Sequence, residues 1–327
     1  MSTDATTVAI ACQGGGSHTA FTAGVLSELL ENFPENHELV GLSGTSGGAL
    51  CASLAWVGLA SSKETPRPLL ESFWSELAAS TPLHRSINTA MLAGAQLQRL
   101  GVPFPDVSPA YSPGSRWGEE YFRDLLRDHI DFEAVPELIN EETPALLVSA
   151  VDVKAGTFRI FREEELSANA ILASAAIPTL FEAIEVNENH YWDGLFSKNP
   201  PMKDFVTDDD VPNPDEIWLI KINPQERDHV PTSPEGIADR RNELGGNLSL
   251  NAEISFIETI NRWIDRSYLP EKFTHTEIRR IRFPKTRRLD WRTKLDRDPQ
   301  FIERLYESGE RQAHEFLDTF EATTIEN

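Results

Sequence analysis

Leu39-Val40-Gly41-Leu42-Ser43-Gly44-Thr45-Ser46-Gly47-Gly48-Ala49-Leu50-Cys51-Ala52 is the stretch on which the fold turns. Leu39 to Leu42 reads as a short strand, a glycine-rich corner follows, and Ala49 to Leu59 continues as an apolar helix. Within the corner, Gly44-Thr45-Ser46-Gly47-Gly48 fits the pattern G-x-S-x-G. That pattern describes a sharp strand-to-helix turn that lifts a serine oxygen at the carboxyl edge of a sheet. Gly44 and Gly48 support it because the backbone there is crowded. The next helix points its N-terminus at Ser46 and puts partial positive charge where an oxyanion would develop. The lesser alternative is a glycine-rich turn whose serine merely caps the helix.

Upstream, Val8-Ala9-Ile10-Ala11-Cys12 reads as a buried strand that stops at Gln13 and the run Gly14-Gly15-Gly16. Phe21, Val25, Leu26, Leu29 and Leu30 then follow helical spacing across Ala20 to Leu30. Strand, turn, helix, strand, turn, helix is a βαβ arrangement, and so predicts a parallel sheet. Leu70 to Leu77 extends the helical theme. From about Ser80 to Trp117 prolines 82, 103, 105, 109 and 113 break the pattern around apolar Met91 to Leu97, and an inserted lid is expected. Ala145–Val153 and Thr157–Phe161 flank Lys154-Ala155-Gly156 as a hairpin. Ala168 to Ala176 is a small-residue helix ended by Pro178. Ile217–Ile222 and Ile278–Phe283 read as strands, and Pro299–Phe320 as a closing helix. Asp239–Tyr268 reads as a long amphipathic helix interrupted at Gly245-Gly246. With no internal repeat or low-complexity linker, a single domain is expected: residues 6–210 form its core, and 211–327 supply a strand and helices that complete it.

The chain has 327 residues, 30 Lys and Arg against 52 Asp and Glu, and a formal net charge of -22. Such a surface repels phosphates, which argues against a nucleic-acid partner and a purely electrostatic membrane anchor. Acid excess with scarce lysine also suits high ionic strength, where screening relieves self-repulsion, so a halophilic setting is expected. Two cysteines, Cys12 and Cys51, sit in apolar stretches and read as reduced, buried thiols of a cytoplasmic protein. Met1 to Thr7 is polar, with no basic region leading into an apolar one, which argues against a signal peptide. The longest apolar run, Gly47 to Ala60, is too short to span a bilayer, leaving at most a transient peripheral membrane contact. No metal constellation stands out, since Asp208-Asp209-Asp210 reads as a solvated turn.

Two further segments carry candidate chemistry. Gly14-Gly15-Gly16 at a helix start could be a phosphate loop, a tight turn or an oxyanion hole. The spacing gives neither G-x-G-x-x-G nor a Walker lysine, which favours the oxyanion hole. Asp193-Gly194 lies between Tyr191-Trp192 and the stiff Asn199-Pro200-Pro201. This suggests a carboxylate on a partly dry loop, although an isolated Asp-Gly is more simply a turn.

Together the three segments resemble the patatin-like phospholipases, as does Ala173-Ser174-Ala175-Ala176-Ile177-Pro178 followed by Phe181. The resemblance covers roughly residues 6 to 210, and Arg240 to Leu250 resembles the tail of a bacterial and archaeal branch. It implies a three-layer αβα sandwich with a mainly parallel central sheet. It also implies serine acyl hydrolysis of lipid or other carboxylic esters through an acyl-enzyme, with no cofactor. Residue by residue, it places the nucleophile at Ser46, the base at Asp193 with Gly194 beside it, and the oxyanion donors at Gly14, Gly15 and Gly16. Two positions depart from the family pattern. His18 and Thr19 stand where a basic residue and a glycine are usual, and Leu195 stands where glycine or alanine is usual. A carboxylate base needs a dry site to gain basicity, and the apolar lid around Met91 to Phe104 is expected to provide that dryness and to receive an acyl chain. The competing mechanism is a Ser-His-Asp triad using His190, His229, His275 or His314. The competing class is a lipid-binding pseudoenzyme. The acyl donor stays open between phospholipid, neutral glyceride, thioester and storage polyester.

Overall fold

Alternation along the first strand organises the molecule. In a computed structural model, described over residues 5–61, 66–99, 108–196, 198–227, 230–271, 273–283, 289 and 291–325, β1 (Thr6–Cys12) turns Val8, Ile10 and Cys12 into one core and Ala9 and Ala11 into another. The period-2 geometry of a strand buried on both faces produces this split. Helix α1 (Ala20–Glu31) returns the chain to β2 (His37–Thr45), and α2 (Gly47–Ser61) and α3 (Arg67–Leu77) follow. Then come α4 (Pro82–Arg99), α5 (Pro113–His129) and α6 (Val135–Leu138). The hairpin β3 (Ala145–Asp152) and β4 (Thr157–Phe161) leads to α7 (Ala168–Ala175), β5 (Ile184–Val186) and β6 (Asn189–Asp193). The chain closes through α8 (Asp204–Thr207), β7 (Glu216–Lys221), α9 (Pro234–Asp265), β8 (Glu277–Arg282) and α10 (Pro299–Ile325).

These eight strands form one sheet in the order β5-β6-β3-β2-β1-β7-β8, with β4 attached to β3. Strands β3, β2, β1, β7 and β8 run parallel; β4 and β6 run antiparallel to β3. On one face Phe21 and Leu26 of α1, Leu54 of α2, Phe73 of α3 and Leu305 of α10 pack onto Val8, Ile10, Leu146 and Trp218. On the other, Phe205 of α8 and Leu250 and Ile257 of α9 pack onto Ala9, Ala11, Leu147 and Leu219. The result is a mixed α/β protein, a mostly parallel sheet between helical layers.

One detail of β3 positions everything that follows. Ala145 to Ser149 pair with β2, Ala150 to Asp152 pair with β6, and β4 takes the opposite edge over Val148 to Asp152. Strands β2 and β6 therefore share one edge of β3 and approach head-on, with Thr45 opposite Ser149 and Asp193 opposite Ala150.

Two expectations need correction, over α9 and before β6, while the described part of 80–117 is largely helical, because its prolines begin elements: Pro82 opens α4, Pro109 a 3-10 turn and Pro113 α5. Prolines 103 and 105, and Phe104, lie outside the described residues. Helix α9 runs unbroken through Gly245-Gly246. Finally, the β5–β6 hairpin lies where no strand was expected, turning at Asn187 and Glu188, both at positive φ.

Candidate active site

Ser46 sits at φ 57, in the left-handed region that side chains with a Cβ rarely adopt. Two features hold it there. Its backbone N–H donates to Ser174 Oγ on α7 at 2.9 Å, and its carbonyl accepts the Leu50 N–H at 3.1 Å. A Cβ on Gly44 would fall 2.5 Å from the Ala49 nitrogen, and one on Gly48 would strike the Cys12 carbonyl, so glycine is required at both. The corner is therefore the strained turn that the motif demands.

Asp193 ends β6 and is only 1% exposed. Its N–H donates to the Ala176 carbonyl at 3.0 Å, and its Oδ1 accepts the Leu195 N–H at 2.8 Å. The Ser46 side chain is close enough to act on this carboxylate and pulls its pKa down. Burial raises the Asp193 pKa to about 7, against the smaller downward pull of the Ser46 hydroxyl and the Leu195 amide. The Lys198 carbonyl accepts the hydroxyls of both Thr45, at 2.6 Å, and Ser149, at 2.8 Å, tying the loop after Asp193 to the end of β2. A Cβ on Gly194 would strike Ser149 Oγ and the Ser149 carbonyl. Leu195 contributes here through its amide, which its unusual side chain leaves unaltered.

The three loop glycines differ in their situation. The Gly14 N–H already donates to Asn199 Oδ1 at 2.7 Å, and its carbonyl accepts Asn223 Nδ2 at 3.0 Å. Gly15 packs on Ile222, while Gly16 lies at φ 58 beneath the Lys294 carbonyl and borders a cavity with Ser46 and Gly47. A buried amide network fixes the loop. Gln13 Oε1 accepts the N–H groups of Ile222 and Asn223, and Gln13 Nε2 donates to Asn247 Oδ1 at 3.2 Å. Thr19 Oγ1 donates to the Gly16 carbonyl at 2.6 Å. His18 is buried and bonded through Nε2 to Thr293 Oγ1 at 2.7 Å. Burial, with Lys294 nearby, lowers its pKa well below the usual value, so His18 is a neutral anchor for the 3-10 turn Trp291–Lys294.

Sequence reasoning passed over Gln13, Ser174, Asn199, Asn223 and Asn247. The available signal was polar side chains embedded among glycines, prolines and apolar residues, since buried amides need partners.

The cavity has a volume of about 750 Å³. Its walls are mostly apolar, including Leu50, Trp74 and Phe181, with Ile87 and Met91 contributed by α4 and Trp117 by α5. The described histidines proposed for a triad stay away from it. His190 is three residues from Asp193 along β6, on the opposite face; His275 is exposed; His314 is 69% exposed. His229 lies outside the described residues.

A mostly parallel sheet between helical layers, with a strained serine corner and a buried carboxylate at neighbouring strand ends, defines a mixed α/β protein. A family model for patatin-like phospholipases matches residues 10–206, more than half the chain, and the chain belongs to that family. Family membership points to hydrolysis of lipid esters. No match was found among curated protein sequences. The crystal structure of VipD from Legionella pneumophila is similar at TM-score 0.41 and 14% identity, over 97% of this chain and 67% of that one. That likeness is too distant to carry an argument. Among the described residues, no helix is long and apolar enough to cross a membrane.

Proposed function

We propose that the chain is a serine acyl hydrolase in which Ser46 attacks an ester carbonyl while Asp193 takes its proton. The reading rests on one observation above all: β3 brings the ends of β2 and β6 together, so that the Ser46 side chain acts on the pKa of the buried Asp193 carboxylate, though the two are far apart in sequence. A carboxylate with a pKa near 7 is a much stronger base than one in water, while still ionised in half the molecules at neutral pH. As the Ser46 oxygen bonds to carbon, the carbonyl pair moves onto oxygen, and we assign its stabilisation to the amides of the loop at Gly15 and Gly16 and to the N-terminus of α2 at Gly47. Gly14, whose amide is committed to Asn199, supports the loop instead. The tetrahedral species collapses, the alcohol leaves with the Asp193 proton, and water then repeats the sequence on the acyl-enzyme to release the acid.

The apolar cavity under α4 accommodates the acyl chain, and exposed Leu83, Met91, Tyr111 and Trp117 on or beside it give a lipid surface something to touch. We also place the chain in the cytoplasm of a cell at high salt, in keeping with its acidity and with Cys12 and Cys51, buried and unbridged. A fluorophosphonate probe tests the chemistry directly. The native protein should label, Ser46→Ala should not, and ester turnover should fall by about three orders of magnitude or more in Ser46→Ala and Asp193→Asn. A protein that binds lipid without labelling would be the inactive relative instead.

A further inference from the structure

The cavity beside Ser46 has an uneven charge. In a chain with 52 acidic and 30 basic side chains, the only charged residues on its wall, among those described, are Lys294 and Arg297. Lys294 is balanced in part by Asp239 and Glu243, which pull on its ammonium without touching it. Arg297 has no such balance. Its guanidinium lies 5.9 Å from the centre of the Tyr121 ring, half-buried, and no carboxylate among the described residues pairs with it. The acids next to it in sequence are turned elsewhere. Asp296 Oδ1 accepts Asn88 Nδ2 at 2.9 Å, and Asp298 Oδ1 accepts the Phe301 N–H at the start of α10.

The position of Arg297 is built. Its N–H donates to the buried Asn88 Oδ1 at 3.0 Å, and its carbonyl accepts the Ala79 N–H at 2.7 Å, so α4 and the connection before it hold its backbone from both sides. Taking a guanidinium partly out of water and giving it no counter-ion costs free energy, and such a cost is offset when a ligand brings the opposite charge. The planar fork of arginine suits the oxygens of a phosphate or carboxylate better than a lysine does.

We propose that Arg297 is a specificity-determining residue, which selects acyl esters bearing a negatively charged group, with Lys294 adding to the field. The inference rests on the hydrolase reading above and narrows its substrate. The acyl chain takes the apolar walls, the ester carbonyl meets Ser46, and the anionic group of the same molecule meets Arg297.

The test compares dioctanoyl phosphatidate with dioctanoylglycerol, both kept monomeric, so that adsorption to an interface does not enter. Native protein should favour the phosphatidate in kcat/KM by about tenfold or more, as charge-assisted hydrogen bonds allow. Arg297→Gln should bring that ratio towards one, mainly through KM for the phosphatidate, and Arg297→Lys should restore part of it. Calorimetric binding of both lipids to Ser46→Ala gives the same comparison without turnover. An equal loss on both lipids in Arg297→Gln, or no preference in the native protein, would overturn the proposal. So would competition by octanoate as strong as that by phosphatidate, which would assign Arg297 to the released acid. Inorganic phosphate competing as well as the lipid would show a free-anion site and also overturn it. Turnover of both lipids without preference sinks this inference alone, whereas a native protein that fails to label with fluorophosphonate sinks the hydrolase reading.

Discussion

At the scale of single residues, Asp193 couples reactivity to stability. Its pKa of about 7 in the fold stands well above the ordinary value of 3.8. The unfolded chain thus ionises this group near pH 4, while the folded chain keeps its proton until about pH 7. Between those limits the folded state binds more protons, so native stability declines as pH rises, and the loss is complete above the folded pKa. Asp193→Asn carries no such penalty. It should exceed the native protein by up to about 4 kcal/mol above pH 7 and lose that advantage below pH 4, as urea titrations at several pH values would show. Activity runs the other way, since the base must be ionised. The kcat/KM profile should climb about tenfold per unit below pH 7 and level off above it. A profile flat through pH 7 would remove Asp193 from the role of base.

At the scale of elements, α9 shows how two adjacent glycines can differ. A Cβ on Gly245 meets nothing within 4 Å, whereas one on Gly246 would lie 2.8 Å from Asn199 Nδ2 and 2.9 Å from Leu195 Cδ1. Gly245→Ala should therefore stabilise the protein by about 0.5–1 kcal/mol through helix propensity. Gly246→Ala should lower the melting temperature and depress turnover, because it pushes on the loop that carries Asp193 and on the residue holding Gly14. The same pair marks the limit of what the sequence makes legible. Period-2 apolar runs and glycine corners made β1, β2 and the Ser46 turn readable, because local backbone demands set them. The continuity of α9 was not readable, since packing against Asn199 and Leu195 overrides the breaking tendency of Gly245-Gly246. The β5–β6 hairpin was hidden because Asn187-Glu188 adopts two positive φ values without the glycine that normally announces such a turn. At the site, Ser46 and Asp193 could be picked out by resemblance. The commitment of the Gly14 amide, however, depends on Asn199, which meets it only in three dimensions.

At the scale of the whole molecule, the charge of -22 makes ionic strength a variable of the fold. Raising KCl from about 0.1 M to 1 M shortens the screening length from about 10 Å to 3 Å and should raise the melting temperature. A flat or falling response would mark the acidity as ordinary. The head-on meeting of β2 and β6 has a different consequence. Ser149 and Ala150 are neighbours in the chain, so the last paired residue of β2, Thr45, and the last of β6, Asp193, sit opposite positions one peptide unit apart, a Cα–Cα step of about 3.8 Å fixed by covalent geometry. Strand β3 acts as a ruler. However long the excursion between the two strands grows, through α4, α5 or any enlarged roof, the offset between the strand end before Ser46 and the strand end at Asp193 is inherited from a single backbone step.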